Sequence, residues 1–154
     1  MNGKKIPVRH KHTLVDADDF EYLSQFTWGL HSQGYAIRSV PKGNGRKIFL
    51  HREVMRAKKD QRVDHINGDV LDNRKANLRF CNNTENSRNR KKSINNTTGH
   101  KGVSFEQGLW RARIWVDGKP KHLGNYKDKE SAARAYDDGA IKYFGEFARL
   151  NFAE

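Results

Sequence analysis

Acidic, imidazole and amide side chains cluster in residues 63–89, in a pattern that a hydrophobic core does not require. Asp64 and His65 are adjacent, and Asn77 and Asn86 follow His65 by 12 and 21 residues. Hydrolysis of a phosphodiester needs a base that deprotonates water and a cation that stabilises the phosphate charge. An imidazole can be the base, carboxylate and amide oxygens suit Mg²⁺, and an amide oxygen on the far imidazole nitrogen would orient the ring. The segment therefore indicates chemistry on a phosphodiester bond.

The asparagines also have a structural interpretation. Asparagine is common in turns because its side chain hydrogen-bonds to the nearby backbone, and this explanation is preferred for Asn67, Asn73, Asn82 and Asn83. It does not account for the whole set, since turn chemistry predicts neither the strand at NLRF nor an asparagine inside the basic helix that follows. His51, in LHREVM, either lines the site or contacts phosphate, or it packs at a strand–helix junction, which is the commoner role.

Two strands and a helix are expected to position these residues. VDHI and LRFC are typical of short β-strands, and the turn-rich NGDVLDNRKAN lies between them. Asn82 and Glu85 form a capping box, which predicts a helix that begins near Asn83 with Asn86 in its first turn. The order strand, loop, strand, helix would bring Asn86 back towards the Asp-His pair.

The segments before this motif predict a small α+β unit. Residues 16–26 have apolar positions three apart behind an acidic start, which predicts a short amphipathic helix. Residues 34–40 and 46–52 predict two strands, joined by a hairpin loop at PKGNG.

A basic segment separates this part of the chain from a second module. Residues 88–101 hold five Lys and Arg and no acidic residue, which predicts the end of a helix and a linker. Beyond it, residues 102–126 alternate polar and apolar side chains around turn signals at Gly108 and Gly118, which predicts three antiparallel strands. The alanine-rich KESAARAYDDGAIKYFG then predicts a helix packed on that sheet.

Composition favours a polyanionic partner. The 154 residues fit one domain or two small ones, and their net charge is +12. Residues 1–87 hold 16 basic and 10 acidic side chains and residues 88–154 hold 14 and 8, so each part carries +6. Nucleic acid is the first candidate and an anionic membrane surface a weak alternative, because the basic residues form no amphipathic helix.

The other composition signals concern compartment and cofactors. The single Cys81 excludes an internal disulfide framework and provides no thiolate set for a structural zinc. The N-terminus lacks the apolar segment of a signal peptide, and no apolar run approaches the about 20 residues of a membrane span. We therefore expect a soluble, intracellular (cytoplasmic) protein.

From residue 50 to residue 89 the chain resembles the HNH endonucleases of the ββα-metal (His-Me finger) class, especially the phage and intron-encoded homing type. The resemblance implies that Asp64 is a metal ligand, His65 the general base, Asn77 the residue that holds the base, and Asn86 the second metal ligand. The final histidine that gives the family its name is replaced here by Asn86, and an amide ligand favours Mg²⁺ or Mn²⁺ over zinc.

The second module resembles the plant ethylene-response-factor (APETALA-type) DNA-binding domain, on the motifs KGV, WRARI, HLGNY, ESAARAYDDGAIKYFG and ARLNF. The resemblance implies a three-stranded sheet in the DNA major groove with the helix behind it. Ser104 and Glu106 depart from the plant pattern, so base preference is not transferred. The predicted DNA contacts are Arg111, Arg113, Trp115 and Lys121 in this module, with Arg88, Arg90, Lys91 and Lys92 in the basic segment.

Together these features predict an α+β protein of two modules. Residues 1–92 would be the nuclease domain with its core at 50–92, residues 93–100 the linker, and residues 101–154 the DNA-binding domain. The predicted function is a metal-dependent, homing-type DNA endonuclease of a phage or similar genome, acting on double-stranded DNA. The alternative is a DNA-binding regulator that keeps the nuclease fold without cleavage. Target site, nicking or double-strand cleavage, and oligomeric state are left open.

Overall fold

The computed structural model describes residues 3–40, 45–90 and 92–152. Within these ranges the chain is α+β, as predicted, with small antiparallel sheets and four α-helices. It divides into two compact units, Met1–Asn83 and Thr84–Glu154. The predicted domain limits stay a prediction, because a compact unit need not coincide with a functional domain. No helix in the described part of the chain is long and apolar enough to cross a membrane.

The described residues of the first unit form three small sheets and two short α-helices. Two hairpins pair β1 with β2 and β6 with β7, and β4 lies between β3 and β5 in the third sheet. The elements are β1 (Lys4–Val8), β2 (Lys11–Val15), α1 (Ala17–Ser24), β3 (Gly29–Leu30), β4 (Ala36–Ser39), β5 (Lys47–Phe49), α2 (Leu50–Val54), β6 (Arg62–His65) and β7 (Leu78–Cys81).

The predicted helix and strands of this unit are present, but the second predicted strand is shorter than expected. Helix α1 lies inside the range predicted for it, whereas the strand predicted over 46–52 ends at Phe49. Leu50 begins α2 instead, because one turn of helix buries both Leu50 and Val54 in the core. The predicted loop at PKGNG lies outside the described residues except for Gly45.

Sequence analysis did not predict the N-terminal hairpin β1–β2, nor the short strand β3 and the helix α2. The buried positions of the hairpin alternate, with Ile6 and Val8 in β1 and Thr13 and Val15 in β2. Pro7 obscures the pattern, since proline disfavours an interior strand. The hairpin contributes to a core that also contains residues of α1, α2 and β7. The buried apolar side chains are Ile6, Val8, Val15, Leu23, Trp28, Ala36, Leu50, Val54 and Leu78.

Strand β2 also holds the long loop between β6 and β7. The Leu14 amide donates to the Leu71 carbonyl at 2.8 Å, and the Asn73 amide donates to the Leu14 carbonyl at 2.8 Å. The amide and the carbonyl of Leu14 therefore both attach the loop to the N-terminal hairpin. Helix α3 (Asn83–Arg88) follows β7 and begins at the predicted residue, so the order strand, loop, strand, helix is present along the chain.

The second unit has the predicted three strands and helix. Its elements are β8 (Val103–Glu106), β9 (Leu109–Val116), β10 (Lys119–Tyr126) and α4 (Lys129–Phe144), and β9 is the central strand. Helix α4 starts where the Asp128 carboxylate accepts a hydrogen bond from the Ser131 amide at 2.7 Å, a standard N-cap. The helix packs its alanine-rich side on one face of the sheet. The buried apolar side chains are Val103, Ala112, Ile114, Ala132, Ala133, Tyr136, Ala140 and Phe144.

Candidate functional site

Asp64 and His65 end strand β6, and both are buried. Strand pairing places Arg79 of β7 directly opposite Asp64, and its guanidinium bonds the Asp64 carboxylate, with Nη2 at 3.0 Å and Nε at 3.2 Å from Oδ2. The cation compensates the charge of a carboxylate that has left bulk water. Arg79 was not among the predicted site residues, because the register that sets it opposite Asp64 depends on the loop between the strands.

Asn73 forms a hydrogen bond with the imidazole of His65. The His65 Nε2 lies 3.0 Å from the Asn73 Oδ1, and the two residues are 4% and 1% exposed. Sequence analysis preferred a turn-forming role for Asn73 and expected Asn77 to hold the base. The spacing alone did not distinguish the two asparagines, since both lie between the same two strands.

Asn77 braces the loop instead of contacting His65. Its Oδ1 accepts from the Asn67 backbone amide at 2.9 Å, and its Nδ2 donates to the Asp72 carbonyl at 2.7 Å. These bonds span the loop from its first turn to the segment that carries Asn73. The structure therefore differs from the prediction for Asn77, because the short 3-10 turn before β7 directs its amide across the loop.

Two further rings lie against His65. The ring centroid of His51 is 5.1 Å from that of His65, and Tyr35 lies 5.9 Å from His65 and 5.2 Å from His51. His51 is buried, as the packing role predicts, and it also lies beside His65. Tyr35 was missed, because an aromatic residue beside a strand gives no signal of function in a single sequence.

Burial favours the neutral form of both imidazoles. It lowers the pKa of His65, against the opposing effects of the Asn73 hydrogen bond and of the Asp64 charge. Burial, together with the nearby His65, lowers the pKa of His51 to about 3. Burial and the charge of Asp64 raise the pKa of Tyr35. A neutral His65 has a lone pair at one ring nitrogen, which is the state that a general base requires.

The Asp64 carboxylate is the hard oxygen donor next to His65. Mg²⁺ commonly takes one or two protein carboxylates and keeps several waters, so this donor fits that ion or Mn²⁺. Among residues 3–40, 45–90 and 92–152, no group of three or more His, Cys, Asp or Glu side chains is close enough to hold a metal. Asn86 is half-buried in α3, in the second unit. Its predicted role as the other ligand stays a prediction.

Strand β9 presents alternating side chains on the two faces of its sheet. Ala112 and Ile114 are buried beneath α4, whereas Trp115 is 59% exposed. Arg113 lies over the Trp115 ring at 6.0 Å. Arg111 is engaged by Glu106, with Nη1 2.7 Å from Oε2. Glu106, which departs from the plant pattern, thus pairs with the charge of Arg111 on this face.

The other predicted DNA contacts are basic residues of the second unit, and several have partners. The Arg88 guanidinium lies over the Phe144 ring at 4.8 Å, and the Lys121 ammonium lies over Tyr143 at 5.3 Å. Lys92 donates to the Gly99 carbonyl at 2.9 Å. Arg90 is exposed, and Lys91 lies outside the described residues. Their contacts with DNA stay predictions.

Similarity to one viral protein assigns the family. No protein-family model matches the chain. An uncharacterized HNH endonuclease of Acanthamoeba polyphaga mimivirus is 31% identical over 145 residues, which are 90% of this chain and 73% of that protein. The chain belongs to the HNH endonuclease family. The Asp-His pair at the end of β6 is thus found in a chain related to a nuclease along most of its length.

Two other relatives match parts of this HNH family member. Protein 3.8 of Escherichia phage T7 is 34% identical over 90 residues, 57% of this chain and 74% of that protein. APETALA2-like protein 2 of Oryza sativa subsp. indica is 44% identical over 55 residues, 34% of this chain but only 13% of the plant protein. The similarity to the plant protein is therefore that of one segment, about a third of this chain.

Proposed function

We propose that this HNH family member is a metal-dependent DNA endonuclease whose ββα-metal core lies in residues 50–92. The observation that carries the proposal is the buried Asp64–His65 pair, in which an imidazole whose neutral form is favoured by burial is adjacent to a carboxylate. A phage or similar genome is the proposed context, supported by the relatives in mimivirus and phage T7. Homing-type cleavage is the proposed role and follows from the family resemblance in the sequence.

His65 is the proposed general base, which takes a proton from the attacking water. Asp64 would hold Mg²⁺ or Mn²⁺, with Asn86 as a second ligand on the strength of the family resemblance alone. When bound, the ion supplies positive charge to the phosphate oxygens and to the leaving group. Arg79 holds the Asp64 carboxylate in place, and Asn77 stabilises the loop that carries the partner of His65.

We further propose that the second unit binds double-stranded DNA through the exposed face of its sheet. The similarity to the plant APETALA2-like segment supports this, as does a face that carries Arg113 and the exposed Trp115. An arginine can form a bidentate pair with guanine or contact phosphate, and an indole can pack on sugar or on a thymine methyl group. Glu106 makes Arg111 the weaker candidate of the two arginines, because its charge is already paired.

Incubation of the purified full chain with supercoiled and linear DNA tests the proposed cleavage. We expect nicked or linear product from supercoiled plasmid in Mg²⁺ or Mn²⁺, and none when EDTA replaces the metal. Binding to the same DNA is measured in parallel by gel shift. DNA binding without cleavage in either metal would favour the regulator that keeps the nuclease fold, and cleavage undiminished by EDTA would remove the metal from the proposal.

Replacement of Arg113 by alanine separates base reading from phosphate contact. If Arg113 reads a base, the change should cost about 1 to 3 kcal/mol of binding at one position of the target and relax the preference there. Target selection from a randomised DNA pool, followed by measured affinities, gives both quantities. The control is Arg134→Ala, which removes the same charge from the exposed side of α4.

The two variants also differ in their expected response to salt. A phosphate contact would instead weaken binding on every sequence and reduce the slope of log affinity against log salt by about 0.9. An Arg113→Ala variant that binds all DNA as the wild type does, or no more weakly than Arg134→Ala, would mean that this face of the sheet is not the DNA-binding surface.

A further inference from the structure

A chain of hydrogen bonds connects His65 to strand β2. The His65 Nε2 contacts Asn73 Oδ1 at 3.0 Å, Asn73 Nδ2 contacts Thr13 Oγ1 at 2.7 Å, and Thr13 Oγ1 contacts the Leu71 carbonyl at 2.7 Å. Thr13 and Asn73 are 0% and 1% exposed. Water therefore has little access to the polar atoms of the two side chains, and their mutual bonds determine their orientation.

The Leu71 carbonyl, at the end of this series of hydrogen bonds, determines which atom donates in each of them. A carbonyl only accepts, so the single hydroxyl hydrogen of Thr13 is donated to Leu71. The Thr13 oxygen must then accept from Asn73, which places the NH₂ of the amide on that side. The Val70 carbonyl, 3.4 Å from Asn73 Nδ2, requires the same orientation. The amide oxygen of Asn73 consequently faces His65.

An amide oxygen also only accepts, so the neutral His65 carries its hydrogen on Nε2 and its lone pair on Nδ1. We propose that Asn73, oriented by Thr13, is a positioning residue that holds His65 in the Nε2–H tautomer, and that Nδ1 is the nitrogen that takes the proton in cleavage. Only the role of Nδ1 in cleavage rests on the proposed function. The tautomer itself can be measured without any activity.

The alternative tautomer would place a hydrogen where the base must accept one. If the amide of Asn73 turned over, its NH₂ group would face His65 Nε2 and favour a hydrogen on Nδ1. The hydroxyl of Thr13 opposes this turn, because it would then meet the amide oxygen with its only hydrogen already donated to Leu71. Thr13 lies 60 residues before Asn73 in the chain, so this control depends on the attachment of β2 to the loop.

The test compares Thr13→Val, which removes the hydroxyl at nearly constant volume, with Thr13→Ser, which keeps it. Nitrogen-15 NMR of the imidazole in the full-length protein at pH 8 reports the tautomer, and comparison with a His65→Gln spectrum assigns the His65 signals. Cleavage at saturating DNA and Mg²⁺ gives kcat, and gel shifts give the affinity. If Thr13→Val does not fold, Thr13→Ala removes the hydroxyl without adding bulk and carries the same comparison.

We expect a pyrrole-type Nε2 and a pyridine-type Nδ1 in the wild type and in Thr13→Ser. Thr13→Val should move part of the population to the Nδ1–H form and lower kcat about 10- to 100-fold, with unchanged DNA affinity; the magnitude is taken from the loss of hydrogen-bond partners that fix the tautomer of metal-binding histidines. A wild-type His65 in the Nδ1–H form, or a folded Thr13→Val with wild-type tautomer and kcat, would overturn the inference. Should the wild type cleave no DNA, the proposed function fails, and the NMR comparison still decides whether Asn73 and Thr13 hold the tautomer.

Discussion

Replacement of His65 by alanine should lower the rate of DNA cleavage by about 10² to 10⁴, because the attacking water loses its general base. DNA affinity should remain nearly unchanged, since His65 is 4% exposed and offers little surface to a ligand. Single-turnover cleavage in Mg²⁺ measures the rate, and binding in EDTA measures the affinity without turnover. A loss of rate at constant affinity is the signature of an interaction made in the transition state.

His10→Ala is the matched control for this change. His10 is an exposed histidine in the turn between β1 and β2, so its removal deletes an imidazole without disturbing a buried contact. Its cleavage rate should match the wild type. Wild-type cleavage by His65→Ala would show that His65 is not the base. A parallel fall in rate and in the thermal unfolding temperature would identify the loss as one of stability.

Replacement of Gly102 by alanine should unfold the second unit or weaken it severely. Gly102 has φ of +73°, and a Cβ there would lie 2.0 Å from Tyr136 Cδ2 and 2.6 Å from the Arg113 carbonyl oxygen. The backbone conformation alone costs an alanine about 1 to 2 kcal/mol. Displacement of a buried ring and of a strand backbone costs about 1 to 3 kcal/mol more. We therefore expect a loss of about 2 to 5 kcal/mol in the free energy of unfolding.

Gly118→Ala separates the two causes. Gly118 has almost the same φ, +76°, but a Cβ there would meet nothing within 4 Å. It should therefore lose only the backbone contribution. Urea titration followed by tryptophan fluorescence measures both variants, because the second unit contains Trp110 and Trp115. Equal losses in the two variants would show that Tyr136 does not restrict the space at Gly102.

Local signals predicted most of the second unit. The turn glycines between polar–apolar runs mark β8, β9 and β10, and the alanine-rich segment marks α4. These features act over a few residues, so they can be identified without knowledge of the rest of the chain. The same applies to β6, β7 and the start of α3. It does not apply to β5, whose predicted extension became α2 when the core took up Leu50 and Val54.

The sequence by itself also determined the chemistry available to the site, since Asp64 and His65 are neighbours on one strand wherever that strand lies. Which side chains complete the site was decided by the tertiary structure. Strand register places Arg79 on Asp64. The choice of Asn73 over Asn77 as the partner of His65 depends on a loop held by β2, a strand more than fifty residues away in the chain. Residue spacing limits only how far a loop can reach, whereas hydrogen bonds to a distant strand select the amide that faces the imidazole.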